Sequence, residues 1–183
     1  FYEFMTLLSV PFVLHTMTKE AIFAAKKYLY YSIAGASMAV FGFAVLYSVS
    51  DANIAFVPGG VLSGGIQADK QTLLLAAAFL LIVGFGTKAG MFPMHGWLPS
   101  AHPVAPAPAS AVLSGMITKC GVLGILRVVF YLVGADNLRG TWVQYAFLAL
   151  TLITVFMGSM LAFKEQILKK RLAYSTVSQV SYV

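Results

Sequence analysis

Long apolar runs leave this chain few alternatives to a membrane. Of its 183 residues, 60% are hydrophobic and only 10% are charged, and the mean hydropathy is +0.85. A soluble domain carries about 25% charged residues, which cover its surface. The hydrocarbon core of a bilayer, by contrast, is crossed by a helix of about 20 apolar residues. The composition therefore excludes a soluble domain and predicts an all-α, polytopic bundle of transmembrane helices.

Six helices are predicted along the chain, and the first and last are cut by its ends. Their approximate bounds are residues 1–17, 28–49, 71–94, 107–133, 141–163 and 172–183. The chain begins inside an apolar run without a start methionine and stops inside another. We therefore interpret the whole of 1–183 as a single transmembrane domain that is a fragment of a longer polytopic protein.

The basic residues mark one side of the membrane. The net charge of +6 could suggest nucleic acid, but loops 18–27 and 164–171 hold three and four Lys/Arg, and loops 50–70 and 134–140 hold one each. With five crossings, the two basic loops fall on the same side, which the positive-inside rule makes cytoplasmic. The chain is thus expected in a bacterial or archaeal cytoplasmic membrane, or in an organellar inner membrane, with lipid rather than nucleic acid around it.

Two lysines lie inside apolar runs, Lys88 about seventeen residues into the third helix and Lys119 about thirteen into the fourth. A charge at the bilayer centre costs about 3 kcal/mol on insertion scales, so such residues usually mark ion pathways. Lys88 could instead snorkel to the interface if its helix ended at Gly86. Lys119 could instead pair with a helix carbonyl or with a carboxylate of another subunit. We favour a proton path, because burial lowers the pKa of lysine towards working pH.

Helix-breaking residues follow Lys88 directly. Gly90 and Pro93 interrupt the third helix, and discontinuous helices place loose backbone at the ion sites of transporters. Beyond the break, the segment 95–108 contains four prolines and is predicted to be a structured turn. His95 and His102 lie in this turn, where they could shuttle protons or form structural hydrogen bonds.

Glu3 is the acid that the sequence places inside the bilayer. If Glu3 is buried, an intramembrane lysine is its natural partner, and the separation of a Glu3–Lys88 pair would set the proton affinity of the lysine. Alternatively, Glu3 lies near the headgroups at the outer end of its helix. The single cysteine and the three histidines show no metal-ligand spacing, so no metal site and no cofactor site is predicted. Trp97 is predicted to be interfacial.

Several motifs together resemble a known family. KAGMFPMHGWLPSAHPVAP stands at residues 88–106, KCGVLGILR at 119–127 and KKRLAYSTVSQ at 169–179. With Glu3 in an early helix before a basic loop, they resemble the antiporter-like subunits of respiratory complex I, the M, L and N type of NADH-quinone oxidoreductase subunit. Related subunits occur in multisubunit cation/proton antiporters and membrane-bound hydrogenases. A lysine rather than a histidine at position 119 resembles the M type most.

The resemblance implies a fold and a set of roles. The family fold has about 14 helices in two inverted repeats, of which this chain would hold a part. Glu3 matches the family's paired glutamate, Lys88 its proton-carrying lysine on a broken helix, and Lys119 its connecting lysine. The partners implied are other membrane subunits, and flavin, iron–sulfur clusters and quinone are expected only in those subunits.

Three functions stay open from the sequence. The first is a proton-translocating subunit of a complex I-like NADH-quinone oxidoreductase, coupled to electron transfer in partner subunits and without a redox centre of its own. The second is a subunit of a multisubunit Na⁺(cation)/H⁺ antiporter or of a membrane-bound hydrogenase. The third is a membrane scaffold in which the lysines only pair with partners, and we rank it last because buried charges are costly. Whether the ion is H⁺ or Na⁺ is left open.

Overall fold

The computed structural model describes residues 2–49, 58–60 and 68–182, and the regular structure of these residues is helical. Its α-helices are α1 (Tyr2–Leu14), α2 (Lys19–Val49), α3 (Ala68–Ala89), α4 (Leu98–Val104), α5 (Ala107–Val112), α6 (Thr118–Arg127), α7 (Ala135–Leu138), α8 (Trp142–Lys164) and α9 (Leu168–Val180). A 3₁₀ turn at Met94–Trp97 precedes α4, and π-helical segments at Leu113–Ile117 and Val128–Val133 flank α6. The predicted loop at 50–70 lies mostly outside the described residues.

Four segments of the described chain are long and apolar enough to cross a membrane. They are Lys19–Ser48, Lys70–Val104, Ala107–Val133 and Trp142–Lys164. The outward face of α8 carries large apolar side chains that a soluble protein would bury, among them Phe156 at 71% and Phe163 at 85% exposure. Lipid is the solvent that tolerates such a face. The predicted all-α membrane bundle is confirmed.

Three helices begin earlier than predicted: α3 at Ala68 instead of residue 71, and α2 and α9 by four residues or more. α2 begins at Lys19 instead of residue 28, so most of the predicted basic loop 18–27 is helical. Lys, Glu and Ala favour helix, and the Thr18 hydroxyl caps the new start by accepting a hydrogen bond from the Ala21 amide at 3.2 Å. α9 likewise begins at Leu168 instead of residue 172. Three basic residues of the predicted loop 164–171 therefore lie in its first turn, namely Lys169, Lys170 and Arg171. The charges therefore extend these helices beyond the apolar core and do not interrupt them.

The charged start of α9 is held by an ion pair outside the membrane spans. The Lys170 Nζ lies 2.7 Å from Glu165 Oε2. This hydrogen bond holds the pKa of the Glu165 carboxyl below its ordinary value. The pair thus ties the α8–α9 connection to the first turn of α9.

The break after Lys88 also differs from the prediction. α3 ends at Ala89 instead of residue 94, because Gly90 adopts a φ of +83°, a left-handed conformation that terminates helices. The Met91 amide donates to the Gly86 carbonyl at 2.9 Å and closes this end. The segment 95–108, predicted to be a structured turn, instead consists mainly of short helical pieces: the end of the 3₁₀ turn, α4 and the start of α5. Pro99 is tolerated in α4 because it lies in the first turn, where amides lack helical partners, whereas Pro103 lies in the last turn of this short helix.

Small residues bring α3 into close contact with its neighbours. A Cβ on Gly84 of α3 would lie 2.7 Å from the Gly35 carbonyl oxygen of α2, and one on Gly42 would lie 2.9 Å from the Ala77 carbonyl oxygen. Such positions let membrane helices approach backbone to backbone. α3 packs against α2, α6 and α8, while α1 packs on α2, and α9 packs on α8 and α4. The end of α3 that carries Lys88 is therefore enclosed by protein.

Candidate functional site

Lys88 lies deep in the bundle. Its depth in the membrane can be inferred from contacts that its surroundings make with the middle of two neighbouring helices. The residue as a whole is 1% exposed. Shortly after it, the Phe92 amide donates a hydrogen bond of 2.9 Å to the hydroxyl of Thr154, which lies midway along α8. Gly121, near the middle of the Ala107–Val133 span, packs against the Lys88 backbone. Lys88 is therefore near mid-depth, where a side chain cannot reach the interface by snorkelling.

The first turn of α1 binds the Lys88 ammonium. The Nζ donates to the backbone carbonyl of Tyr2, and it lies 3.3 Å from the centroid of the Tyr2 ring. The Glu3 Oε1 is 3.8 Å from the same nitrogen. A carbonyl oxygen, an aromatic face and a carboxylate all attract a cation. The structure thus brings together Glu3 and Lys88, two residues that the sequence singled out.

Within the described residues, the Glu3 carboxylate has few polar partners besides Lys88. The Glu3 Oε1 is buried and accepts no hydrogen bond from the described residues, although 39% of the Glu3 side chain is exposed. Its distance from Nζ is that of an ion pair without a direct hydrogen bond. The carboxylate therefore has the capacity to bind a further donor, such as water, while it stays next to the lysine.

A cavity of about 430 Å³ adjoins Lys88 between α1, α3 and α6. Its lining is mainly apolar, with Cys120 and Arg127 among the polar exceptions. Liquid water occupies about 30 Å³ per molecule, so the cavity is large enough for several. An ammonium at the edge of such a cavity can exchange a proton with water without opening the bundle.

Trp97 holds the end of α3 in place. Its Nε1 donates a hydrogen bond of 2.8 Å to the carbonyl of Thr87, and its ring packs against Tyr28 with centroids 4.6 Å apart. The last carbonyls of a helix lack partners within the helix, so this bond satisfies one of them. Trp97 is 0% exposed, and its predicted interfacial position is wrong. The break after α3, which precedes Trp97 in the sequence, turns the chain back so that the Trp97 ring lies in the core.

Glycines on α6 make room for the site. A Cβ on Gly121 would lie 2.5 Å from the Ala89 amide nitrogen, and one on Gly124 would lie 2.8 Å from the Phe85 ring carbon Cγ. Any larger residue would separate α6 from α3 at the depth of Lys88. Sequence reasoning included Gly124 only as part of the motif at 119–127, without a role, and it missed Gly121, Tyr2 and Thr154. The spacing of the two glycines, two and five residues after the mid-span Lys119, was the local signal that could have found them.

Lys119 does not join the Glu3–Lys88 pair. Its side chain is exposed on the outer face of α6, between Met116 and Leu123, which are 58% and 50% exposed. Its neighbour Cys120 points the other way and lines the cavity at Lys88. π-helical segments, which are frequent at functional sites, lie on both sides of α6.

The two histidines lie on the far side of the break. His102 is 4% exposed, and its Nδ1 forms a hydrogen bond with the Ser110 hydroxyl. His95 stacks on Phe92 with centroids 6.0 Å apart. Neither is hydrogen-bonded to Lys88 within the described residues. In that part of the chain, no group of three or more His, Cys, Asp or Glu side chains is placed to hold a metal ion.

Comparison with known proteins identifies the family. The protein-family model with the description "NADH:quinone oxidoreductase/Mrp antiporter, TM" matches residues 1–183 of this chain. The chain belongs to this family. The resemblance stated from the motifs is therefore confirmed.

Individual relatives show how much of a whole protein this chain represents. It is 36% identical over 189 residues to hydrogenase-4 component B of Escherichia coli (strain K12), covering 100% of this chain and 26% of that protein. It is 32% identical over 182 residues to NADH-quinone oxidoreductase subunit N of Pelobacter propionicus, covering 97% and 37%. A chain of the Mrp complex from Dietzia sp. matches with a TM-score of 0.82 and 24% identity, covering 99% and 33%. The chain thus spans about a quarter to two fifths of these proteins.

Proposed function

We propose that this chain is the proton-translocating part of a membrane subunit in a complex I-like NADH-quinone oxidoreductase. Protons would pass through Glu3, Lys88 and Lys119, driven by electron transfer in partner subunits. The observation that carries the proposal is the position of Lys88, which is 1% exposed at mid-depth, with its Nζ 3.8 Å from Glu3 Oε1. Ionisable groups at this depth mark ion paths by default.

The geometry supports a simple exchange of charge. With Glu3 ionised nearby, the charged form of Lys88 is favoured, and a larger separation favours release of its proton. At about 4 Å and an effective dielectric constant of about 20, such a pair is attracted by about 4 kcal/mol. Movement of the first turn of α1 relative to α3 would change this attraction. The adjoining cavity would then carry the released proton to the Cys120 face of α6, from which it would still have to cross to Lys119 on the opposite, exposed face of that helix.

The second candidate is a subunit of a multisubunit cation/proton antiporter or of a membrane-bound hydrogenase. The 36% identity to a hydrogenase-4 component favours the hydrogenase form of this alternative. In either assembly the Glu3–Lys88 pair would have the same task. Flavin, iron–sulfur clusters and quinone would belong to partner subunits, and this chain would supply none of their ligands.

The proposed orientation places both basic segments in the cytoplasm. Lys27 near the start of α2 donates to the Ser100 hydroxyl at 3.1 Å, and Lys169 at the start of α9 donates to the Ala105 carbonyl at 3.0 Å. Both contacts are made at α4 or its end, which supports a common side for the two segments. By the positive-inside rule this side is cytoplasmic, in a bacterial or archaeal membrane or an organellar inner membrane.

The test uses the full-length protein in its complete complex, reconstituted into vesicles. Substrate-driven acidification is measured for the wild type, for Lys88→Ala and for Lys26→Ala, a control at an exposed lysine. We expect Lys88→Ala to abolish pumping while the complex stays assembled and Lys26→Ala to pump normally. Normal pumping by Lys88→Ala would overturn the proposal. Proton movement that follows an imposed Na⁺ gradient, without any redox substrate, would favour the antiporter.

A further inference from the structure

Buried hydroxyl groups continue from Glu3 along α1. Thr6 and Ser9 follow Glu3 at intervals of three residues and share its helix face, and they are 0% and 3% exposed. Across from them, the hydroxyl of Tyr28 on α2 lies 2.8 Å from the Ser9 Oγ, and Tyr28 is 0% exposed. We call Thr6, Ser9 and Tyr28 the hydroxyl row. Buried hydroxyls are costly in an apolar bundle unless they are hydrogen-bonded, so their alignment needs an explanation.

Near Lys88, where the row approaches Glu3, two buried side-chain oxygens make no hydrogen bond within the described residues. They are Glu3 Oε1 and Thr6 Oγ1, which lie about one helical turn apart on the same face of α1. Buried polar atoms without a protein partner are usually satisfied by an ordered water molecule. One water between these two oxygens would satisfy both, and it would connect the row to the carboxylate.

Lys88 accounts for the free hydroxyl of Thr6. A threonine inside a helix commonly donates to the carbonyl four residues earlier, which for Thr6 is the carbonyl of Tyr2. That oxygen accepts the Lys88 Nζ instead. The state of the lysine and the hydrogen bonding of Thr6 are therefore linked through one shared acceptor.

We propose that the hydroxyl row, completed by a water between Thr6 and Glu3, is the proton-input relay of the Glu3–Lys88 pair. The proposal rests on the proposed function, because it assumes that this pair takes up protons. It adds Thr6, Ser9 and Tyr28 to the path as residues that pass a proton on.

The relay conserves atoms and charge. A proton carried by water from the basic end of the bundle arrives at the buried Tyr28 oxygen as the Tyr28 proton passes to Ser9, and the transfer continues by way of Thr6 and the bridging water to the Glu3 carboxylate. Each O–H bond that breaks is replaced by a new one on the same oxygen, so every hydroxyl ends unchanged and Glu3 becomes a neutral carboxylic acid. The proton then passes to the neutral amine of Lys88. In the structure the Ser9 hydroxyl donates to the Thr6 carbonyl at 2.8 Å, so it accepts from the Tyr28 hydroxyl, and the relay requires the Ser9 hydroxyl to turn towards that of Thr6.

The row points from the site towards the basic end of the bundle. A helix rises about 1.5 Å per residue, so Tyr28 lies about 13 Å along α2 from Lys19. On α1, the next residue of the same face is Val13, which is 0% exposed and apolar, so the polar face of α1 ends at Ser9. The Tyr28 ring is fixed by its packing against Trp97. Tyr28 is therefore the outer end of the relay, on the side that the proposed orientation makes cytoplasmic.

The alternative explanation is that these hydroxyls only hold α1 against α2, as interhelical hydrogen bonds do in membranes. The first experiment measures proton transport by the full-length complex in vesicles with Thr6→Val, Thr6→Ser and Tyr28→Phe. We expect Thr6→Val and Tyr28→Phe to slow transport by at least about tenfold, the low end for a lost proton-transfer group. Thr6→Ser retains the hydroxyl and should stay within about twofold of the wild type. Ser37→Ala on α2, where the serine is exposed and bonded to its own helix, is the control that should change nothing.

The second experiment tests whether the hydroxyl row is connected to Glu3, by a measurement that does not depend on transport. The infrared carboxylate stretching band of ionised Glu3, assigned by its loss in Glu3→Gln, is expected to shift in Thr6→Val and to keep its position in Thr6→Ser. Wild-type transport rates in Thr6→Val and Tyr28→Phe, measured where Lys88→Ala abolishes transport, would overturn the relay and leave the proposed function standing. If the wild type moves no protons, the proposed function fails, and an unshifted Glu3 band in Thr6→Val would then overturn the connection of the row to Glu3 as well.

Discussion

The Lys88 ammonium lies 3.8 Å from Glu3 Oε1, and the two side chains differ greatly in exposure, at 2% and 39%. The lysine is enclosed by the bundle, whereas the glutamate reaches its surface. A change in the surroundings of α1 would therefore act on the pair through Glu3, without any displacement of α3. This asymmetry gives different expectations for substitutions at the two positions.

Glu3→Gln should lower the free energy of unfolding by no more than about 1 kcal/mol, because the half-exposed carboxylate is screened and Lys88 keeps the Tyr2 carbonyl. Lys88→Met should lower the free energy of unfolding by less than about 3 kcal/mol, since the Glu3 carboxylate that it leaves unpaired is partly exposed. Thermal unfolding of the purified full-length protein in detergent measures both, and the double variant tests their coupling. A loss above about 3 kcal/mol in Lys88→Met would mean that the ion pair is required for the fold.

Gly121→Ala should weaken the packing of α6 on α3. Its Cβ would lie 2.5 Å from the Ala89 amide nitrogen, a backbone atom that cannot move aside alone. Overpacking of this kind costs about 1–3 kcal/mol, and proton transport should fall as the surroundings of Lys88 shift. Gly115→Ala is the matched control, because a Cβ there meets nothing within 4 Å. Equal unfolding temperatures for the two variants would contradict the close packing described here.

Thr154→Val should loosen the break that follows Lys88. The variant keeps the shape of the side chain but removes the oxygen that accepts the Phe92 amide at 2.9 Å. An unsatisfied buried amide costs about 1–3 kcal/mol. Hydrogen exchange, read by mass spectrometry, should become faster at Met91–Phe92 than in Thr151→Val, where the hydroxyl bonds only to its own helix. Identical exchange in the two variants would rule out an anchoring role for Thr154.

Trp97→Phe should allow the end of α3 to fray. Phenylalanine fills most of the indole volume but cannot donate to the Thr87 carbonyl, and one hydrogen bond contributes about 1 kcal/mol. We expect a lower unfolding temperature and slower proton transport, because Thr87 precedes Lys88. Trp142→Phe, at a half-exposed tryptophan on α8, should be neutral on both measurements. Transport at the wild-type rate in Trp97→Phe would show that this bond does not position Lys88.

Local features of the sequence accounted for the membrane bundle and for the place where α3 breaks. Hydropathy depends on residues within one helix, and a glycine that favours positive φ acts on its own turn, so both can be seen without tertiary contacts. The Glu3–Lys88 pairing was also predictable, since a buried lysine needs a nearby acceptor. Their part in proton transport remains a prediction.

The structure alone decided how these elements meet. Trp97 caps α3 instead of lying at the interface, Thr154 anchors the break, and Lys119 faces away from Lys88. The Phe92–Thr154 contact joins residues 62 positions apart, and the Lys88–Tyr2 contact joins residues 86 apart. Such contacts depend on how the helices cross. Small residues such as Gly121 set this crossing geometry, and it cannot be read from the local sequence of any one helix. The sequence by itself determined which helices form and that they carry charges into apolar spans, and the packing of those helices determined which of these charges is buried and which side chains reach it.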